Sequence, residues 1–172
     1  MNRRGKLHLY CGDGKGKTTA AYGLALRMAG VGGRVGILQF LKNEESGERT
    51  FLKHMDGIFL LPSVEVKKFV FEMAEEEKAT LRVKQDATLC KTFDGCWDLL
   101  ILDEALGALE TQTLSYPFLR EQLSLRPESM EVVLTGRVAP PELMEEADYI
   151  SEIIKRKHPY DNGMPARQGI EY

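Results

Sequence analysis

Residues 10–30, YCGDGKGKTTAAYGLALRMAG, decide the fold. The apolar run KLHLYC (6–11) ends in a glycine- and lysine-rich turn, and a helical pattern begins at Thr18. Gly12, Gly14 and Gly16 allow a tight turn whose backbone N–H groups point inward. With the N-terminus of the following helix they form a nest for phosphate oxygens. Lys17 adds a point charge and Lys15 a second one. The Thr18 hydroxyl is placed to hold Mg²⁺ or Mn²⁺, as in G-x-x-x-x-G-K-[ST]. The loop is one residue shorter than that pattern. The glycine expected five positions before Gly16 falls on Cys11, and the first glycine is Gly12.

Outward from this loop, strand and helix patterns alternate. Ala21, Leu24, Ala25 and Met28 form one stripe of a helix over 18–29. RVGILQF (34–40) reads as a buried strand, SGERTFLKHM (46–55) as a short helix and VEVKKFVF (64–71) as a third strand. A long helix follows over 75–92, its acidic start EMAEEEK (72–78) suiting the positive end of the helix dipole. WDLLILDE (97–104) has no polar residue between Asp98 and Asp103, as expected of a strand buried on both faces. Ser115 caps a helix to about Leu125, MEVVLTGR (130–137) is another strand, and Pro140 and Pro141 open a further helix. DYISEII (148–154) is the last strand. Residues 155–172 show no periodicity and read as a tail or surface-wrapping loop. The alternation predicts one α/β domain over 1–172, with a mainly parallel sheet and helices on both faces.

Composition narrows the classes. A chain of 172 residues suits one domain with a real core. Its net charge of -3 argues against a nucleic-acid partner held by charge. No apolar run reaches bilayer length, so no membrane partner is expected, and MNRRGKLHLY lacks the apolar stretch of a signal peptide. Cys11, Cys90 and Cys96 form no C-x-x-C pair and read as reduced cytosolic thiols, which points to the cytoplasm. His8, His54 and His158 are too scattered for a metal site.

Ligands of such sheets bind at the carboxyl ends of the strands. That edge carries Gly12 to Thr18, Gln39 to Lys42, Asp103 to Glu104 and Thr135 to Arg137. Asp103 is placed to reach Mg²⁺ directly or through water. Glu104 suits a metal-bound water, a ribose hydroxyl or a helix N-terminus. Arg137 suits a bidentate phosphate clamp or a surface ion pair. Arg27 is either a nucleotide contact or a solvated helix charge. The chain has no N-K-x-D guanine-reading segment, no four-cysteine zinc lobe and no arginine-rich lid.

GDGKGKTTAAYGLALR (12–27), WDLLILDE (97–104), EVVLTGRVAPPELMEEAD (131–148) and KHPYDNGMPARQGIEY (157–172) resemble the ATP:cob(I)alamin adenosyltransferases of the CobA/CobO/BtuR type over nearly the whole chain. The resemblance implies a RecA-like P-loop fold and a homodimer. It implies transfer of the 5′-deoxyadenosyl group of ATP to cobalt(I) of a corrinoid, with release of triphosphate and with a flavoprotein as reductant. The implied nucleotide contacts are Gly12, Asp13, Gly14, Lys15, Gly16, Lys17, Thr18, Thr19, Arg27, Glu104 and Arg137. Lys17, Glu104 and Arg137 would serve the reaction, and Thr18 and Asp103 the metal. Where family members carry G-x-G-F-x-W to hold the corrinoid, this chain reads VEVKKFVFEMAEEEK and keeps only Phe69 and Phe71, which line that pocket or pack into the core. A kinase or ATPase acting at the γ-phosphate, and a non-catalytic nucleotide-binding paralogue, are the competing readings.

Overall fold

The structure, a computed structural model, describes residues 5–41, 47–66 and 68–170. The first strand, β1 (Leu7–Cys11), runs into helix α1 (Lys17–Ala29) through the glycine-rich loop. β2 (Val35–Gln39), α2 (Gly47–Leu52) and β3 (Ile58–Leu60) follow. The long helix α3 (Glu75–Phe93) leads to β4 (Leu99–Asp103), α4 (Ala105–Glu110) and α5 (Tyr116–Leu125). β5 (Glu131–Thr135), α6 (Pro141–Glu146) and β6 (Tyr149–Glu152) complete the domain.

The six strands form one sheet in the order β3-β2-β4-β5-β1-β6, and every pair is parallel. Side chains of a strand alternate between faces, so the two halves of each apolar run feed two cores. Leu100 and Leu102 pack with α4, α5 and α6 residues such as Leu106, Leu119 and Leu143. Leu99 and Ile101 pack on the other face with Ala21, Tyr22 and Ala25 of α1 and Leu52 of α2. Burial on both faces is what the unbroken LLIL run demands, each leucine contributing about 1.5–3 kcal/mol. Among the described residues, no helix is long and apolar enough to cross a membrane.

Three points of the sequence reading are corrected. The third strand is Ile58–Leu60, not 64–71. Among the described residues, the Val64 to Phe71 segment pairs with no strand of the sheet, whose edge is β3. It runs as irregular backbone into a 3₁₀ turn at Val70–Glu72, with Val66 buried and Lys67 outside the described residues. The helix α4 was not anticipated. Its six residues, ALGALE, are too few to show a period, and they are buried wherever they face β5. α1 buries Tyr22 where the sequence stripe had placed Leu24, which is only half-buried. Ser46 of the expected helix and Glu171 and Tyr172 of the tail lie outside the described residues.

Candidate nucleotide site

The parallel register brings the ends of β1, β2, β4 and β5 to one edge. Gln39 stands opposite Asp103, and Tyr10 opposite Thr135. Asp103 is fully buried, and four side chains donate to it. Thr18 Oγ1 and Thr135 Oγ1 reach Oδ1 at 2.9 and 2.7 Å. Gln39 Nε2 and Tyr22 OH reach Oδ2 at 3.0 and 3.5 Å. A buried carboxylate is tolerated only when its lone pairs are satisfied, and here both oxygens are. Burial and the neighbouring Asp103 raise the pKa of the Tyr22 phenol, keeping it a donor. Tyr22, Gln39 and Thr135 therefore belong to this network. Gln39 and Thr135 stood on the expected edge, whereas Tyr22 belonged neither to that edge nor to the expected helix stripe.

Glu104 follows directly, with φ of 61°. A non-glycine residue in the left-handed region costs roughly 1–2 kcal/mol. Its backbone N–H donates to Thr135 Oγ1 at 2.9 Å, which fixes the turn from β4 into α4.

The loop is only partly the nest that its glycines suggested. Gly12 N–H donates to the Arg137 carbonyl at 2.9 Å, and Gly14 N–H to the Ile153 carbonyl at 2.7 Å. Those two donors are taken by the chain itself, which leaves the N–H groups from Gly16 to Thr18, at the start of α1, to form the nest. Tail backbone is packed so tightly here that a Cβ on Gly12 would lie 2.4 Å from the Ile153 oxygen, and one on Gly14 2.7 Å from it. The loop has no room for side chains at these positions. Lys17 curls over the loop, its Nζ donating to the Gly14 carbonyl at 2.7 Å.

Gly12, Asp13, Lys17, Glu104 and Arg137 line one polar hollow of about 370 Å³, together with Lys155, His158, Tyr160 and Asp161 of the tail. The tail residues were not among the expected contacts. Asp13 is exposed and accepts the Lys155 backbone N–H at 2.8 Å, a bond that holds its carboxyl below the usual carboxylate range. Lys15 and Thr19 lie exposed beside the loop. Arg27 is not brought to the hollow. It stands in the last turn of α1, roughly 15 Å along the axis from Lys17 at 1.5 Å per residue. Lys42 of the expected edge lies outside the described residues.

Phe69 and Phe71 do not pack into the core. Their rings stack on each other at 5.3 Å with an interplanar angle of 11°, and they are 70% and 81% exposed. Next to them, Val64, Val66, Met73, Thr80 and Leu81 line a second hollow of about 360 Å³ between this segment and α3.

A metal at the loop has a fitting donor set. Thr18 Oγ1 gives its proton to Asp103, which leaves the oxygen lone pairs for a hard cation. Asp103, with both oxygens occupied, supports that hydroxyl from behind. Among the described residues, no cluster of three His, Cys, Asp or Glu side chains is placed to hold a metal by itself. A cation here would take its other ligands from phosphates and water, the usual arrangement for Mg²⁺.

Comparison with known proteins gives a consistent result. The family model described as ATP:corrinoid adenosyltransferase BtuR/CobO/CobP matches residues 3–172. A corrinoid adenosyltransferase of Escherichia coli K12 is 33% identical, the match covering all of this chain and 88% of the relative. Corrinoid adenosyltransferase CobA of Salmonella typhimurium LT2 is 34% identical with the same coverage. A corrinoid adenosyltransferase of Pseudomonas aeruginosa is 32% identical over 99% of this chain and 85% of its own length.

Proposed function

Since the chain belongs to the ATP:corrinoid adenosyltransferase family, we propose that it moves the 5′-deoxyadenosyl group of ATP onto cobalt(I) of a corrinoid in adenosylcobalamin biosynthesis or salvage. The observation that carries this reading onto particular residues is the shared hollow of Lys17, Glu104 and Arg137 at the mouth of the phosphate loop.

The reaction asks little acid or base chemistry of the protein. The substrate cobalt(I) gives an electron pair to C5′, a Co–C bond forms and the C5′–O5′ bond breaks. The electron pair of that bond leaves on the triphosphate oxygen, and cobalt becomes formally cobalt(III). Negative charge therefore grows at the α-phosphate end. Lys17, the loop N–H groups from Gly16 to Thr18 and the Arg137 guanidinium supply positive potential there. Mg²⁺, where bound, neutralises part of the triphosphate charge. Thr18 Oγ1 would hold it, with Asp103 fixing the hydroxyl. Glu104, set in its turn by Thr135, accepts ribose hydroxyls and so aims C5′ away from the loop.

The stacked Phe69 and Phe71 rings offer exposed aromatic area, and we assign them to the corrinoid face. The apolar side chains of edge strand β6, among them Tyr149 and Ile150, support a homodimer. A flavoprotein would supply cobalt(I), and the free thiols Cys11, Cys90 and Cys96 support a cytoplasmic location.

Lys17→Ala tests the site. Removing a phosphate-site cation costs on the order of 10²–10³ in rate. A variant that keeps most of the wild-type adenosylation rate would exclude this loop as the reaction site.

A further inference from the structure

Thr18 and Tyr22 stand one turn apart on the same face of α1, and both reach Asp103. Thr18 takes Oδ1 and Tyr22 takes Oδ2, the latter by the longest of the four bonds on that carboxylate. Beyond the phenol lies Arg49 of α2. Burial and Asp103 raise the Tyr22 pKa, and Arg49, hydrogen-bonded to the phenol, works against that rise. Leu52, three positions on along the same side of α2, is buried in the core beside Tyr22, which turns Arg49 toward the phenol.

The direction of the bonds along this chain of groups is fixed by chemistry. A guanidinium has N–H donors and no acceptor. The phenol oxygen therefore accepts from Arg49, and its single proton is left for Asp103. A charged donor polarises the O–H it feeds and strengthens the bond beyond it. Held at Oδ2 by Tyr22 and Gln39, the Asp103 carboxylate is kept from turning, so Oδ1 stays on Thr18 Oγ1. Arg49 Nη1 is buried and has no hydrogen-bond partner among the described residues. A buried donor without a partner calls for a reason beyond packing.

We propose that Arg49 is a positioning residue of the nucleotide site: through Tyr22 it holds Asp103 in the orientation that presents the Thr18 oxygen to the metal of MgATP. This rests on the reading of Thr18 as a ligand of that metal and extends the site to α2, which the sequence marks only as a short helix. Arg49 does not line the phosphate hollow, so its effect reaches the nucleotide through the metal side alone.

Calorimetry measures ATP binding with Mg²⁺ and with EDTA, and melting temperatures are the folding control. The proteins are wild type, Arg49→Met, Arg49→Lys, Tyr22→Phe and the double variant that carries Arg49→Met and Tyr22→Phe. Each of Arg49→Met and Tyr22→Phe is expected to weaken MgATP binding roughly five- to tenfold, what one hydrogen bond is worth, and to leave metal-free ATP binding unchanged. The double variant should bind no more weakly than either single one, because Arg49 acts only through Tyr22. Arg49→Lys, whose head group is also donor-only, should stay near wild type. Equal loss with and without Mg²⁺ would make Arg49 a support of α2 alone and overturn the proposal. So would losses that add in the double variant, or an unchanged MgATP affinity in Arg49→Met. Should Arg49→Met fail to fold, Arg49→Gln takes its place. Glutamine offers the phenol an acceptor, so MgATP binding should weaken as in Tyr22→Phe, and wild-type binding would overturn the proposal. A wild-type protein whose ATP binding is indifferent to Mg²⁺ would overturn the metal reading itself, and this proposal with it.

Discussion

Thr18 Oγ1 donates to Asp103 Oδ1 at 2.9 Å across 85 positions of sequence, joining the phosphate loop to the end of β4. The bond ties the loop's one hydroxyl to a carboxylate that three further side chains hold in place. Asp103→Asn replaces one acceptor oxygen by an amide donor facing those donors. It should cost about 1–3 kcal/mol of stability and weaken Mg²⁺-dependent ATP binding. Thr18→Val should weaken the same binding with less loss of stability, because Thr18 is only partly buried. Denaturant unfolding with and without MgATP separates the two, and equal stability loss in both variants would contradict the assigned roles.

Glu104 is held at a φ of 61° that a glycine would take more readily. Glu104→Gln keeps the size and removes the charge. If Glu104 orients ribose, the variant should lose ATP affinity and keep that for inorganic triphosphate. Calorimetry with both ligands decides it, and equal loss would move Glu104 to the metal.

Phe69→Ala and Phe71→Ala should leave the melting temperature nearly unchanged, because both rings are exposed. A truncated core phenylalanine would instead cost about 3–5 kcal/mol. ATP affinity should hold while the KM for corrinoid rises. A corrinoid KM equal to wild type in both variants would remove them from the site.

Cys11 is buried at the end of β1, and burial, then Glu152, raises its pKa. A raised pKa keeps the thiol neutral, and the thiolate is the reactive form. Cys90 and Cys96 are exposed. Titration with a disulfide reagent near pH 8 should count two fast thiols in the native protein and the third only after denaturation. Three fast thiols would show that the loop end of β1 is open.

The loop, the carboxyl-edge site and the parallel sheet were legible because each rests on a local pattern. Gly12 to Thr18 follows an apolar run, and LLILD is unbroken by polar residues. The rest depends on contacts distant in sequence. Nothing local shows that Gly14 N–H meets Ile153, or that Tyr22 turns toward Asp103. The alternating Val64 to Phe71 segment has a strand's pattern but lies outside the sheet. A period of two reports two unlike faces and does not supply a partner strand. The tail's lack of periodicity hid its place at the site, because hydrogen bonds to Asp13 and Gly14 and not an apolar stripe hold it there.

The central claim is that the bond broken is C5′–O5′, with the adenosyl group going to cobalt. The most direct measurement incubates the wild-type protein with MgATP and a chemically reduced corrinoid without oxygen, and identifies every product by mass. The account predicts adenosylated corrinoid and intact triphosphate in equal amounts, with no ADP formed by the enzyme. ADP and phosphate without an alkylated corrinoid would contradict it and place the chemistry at the γ-phosphate.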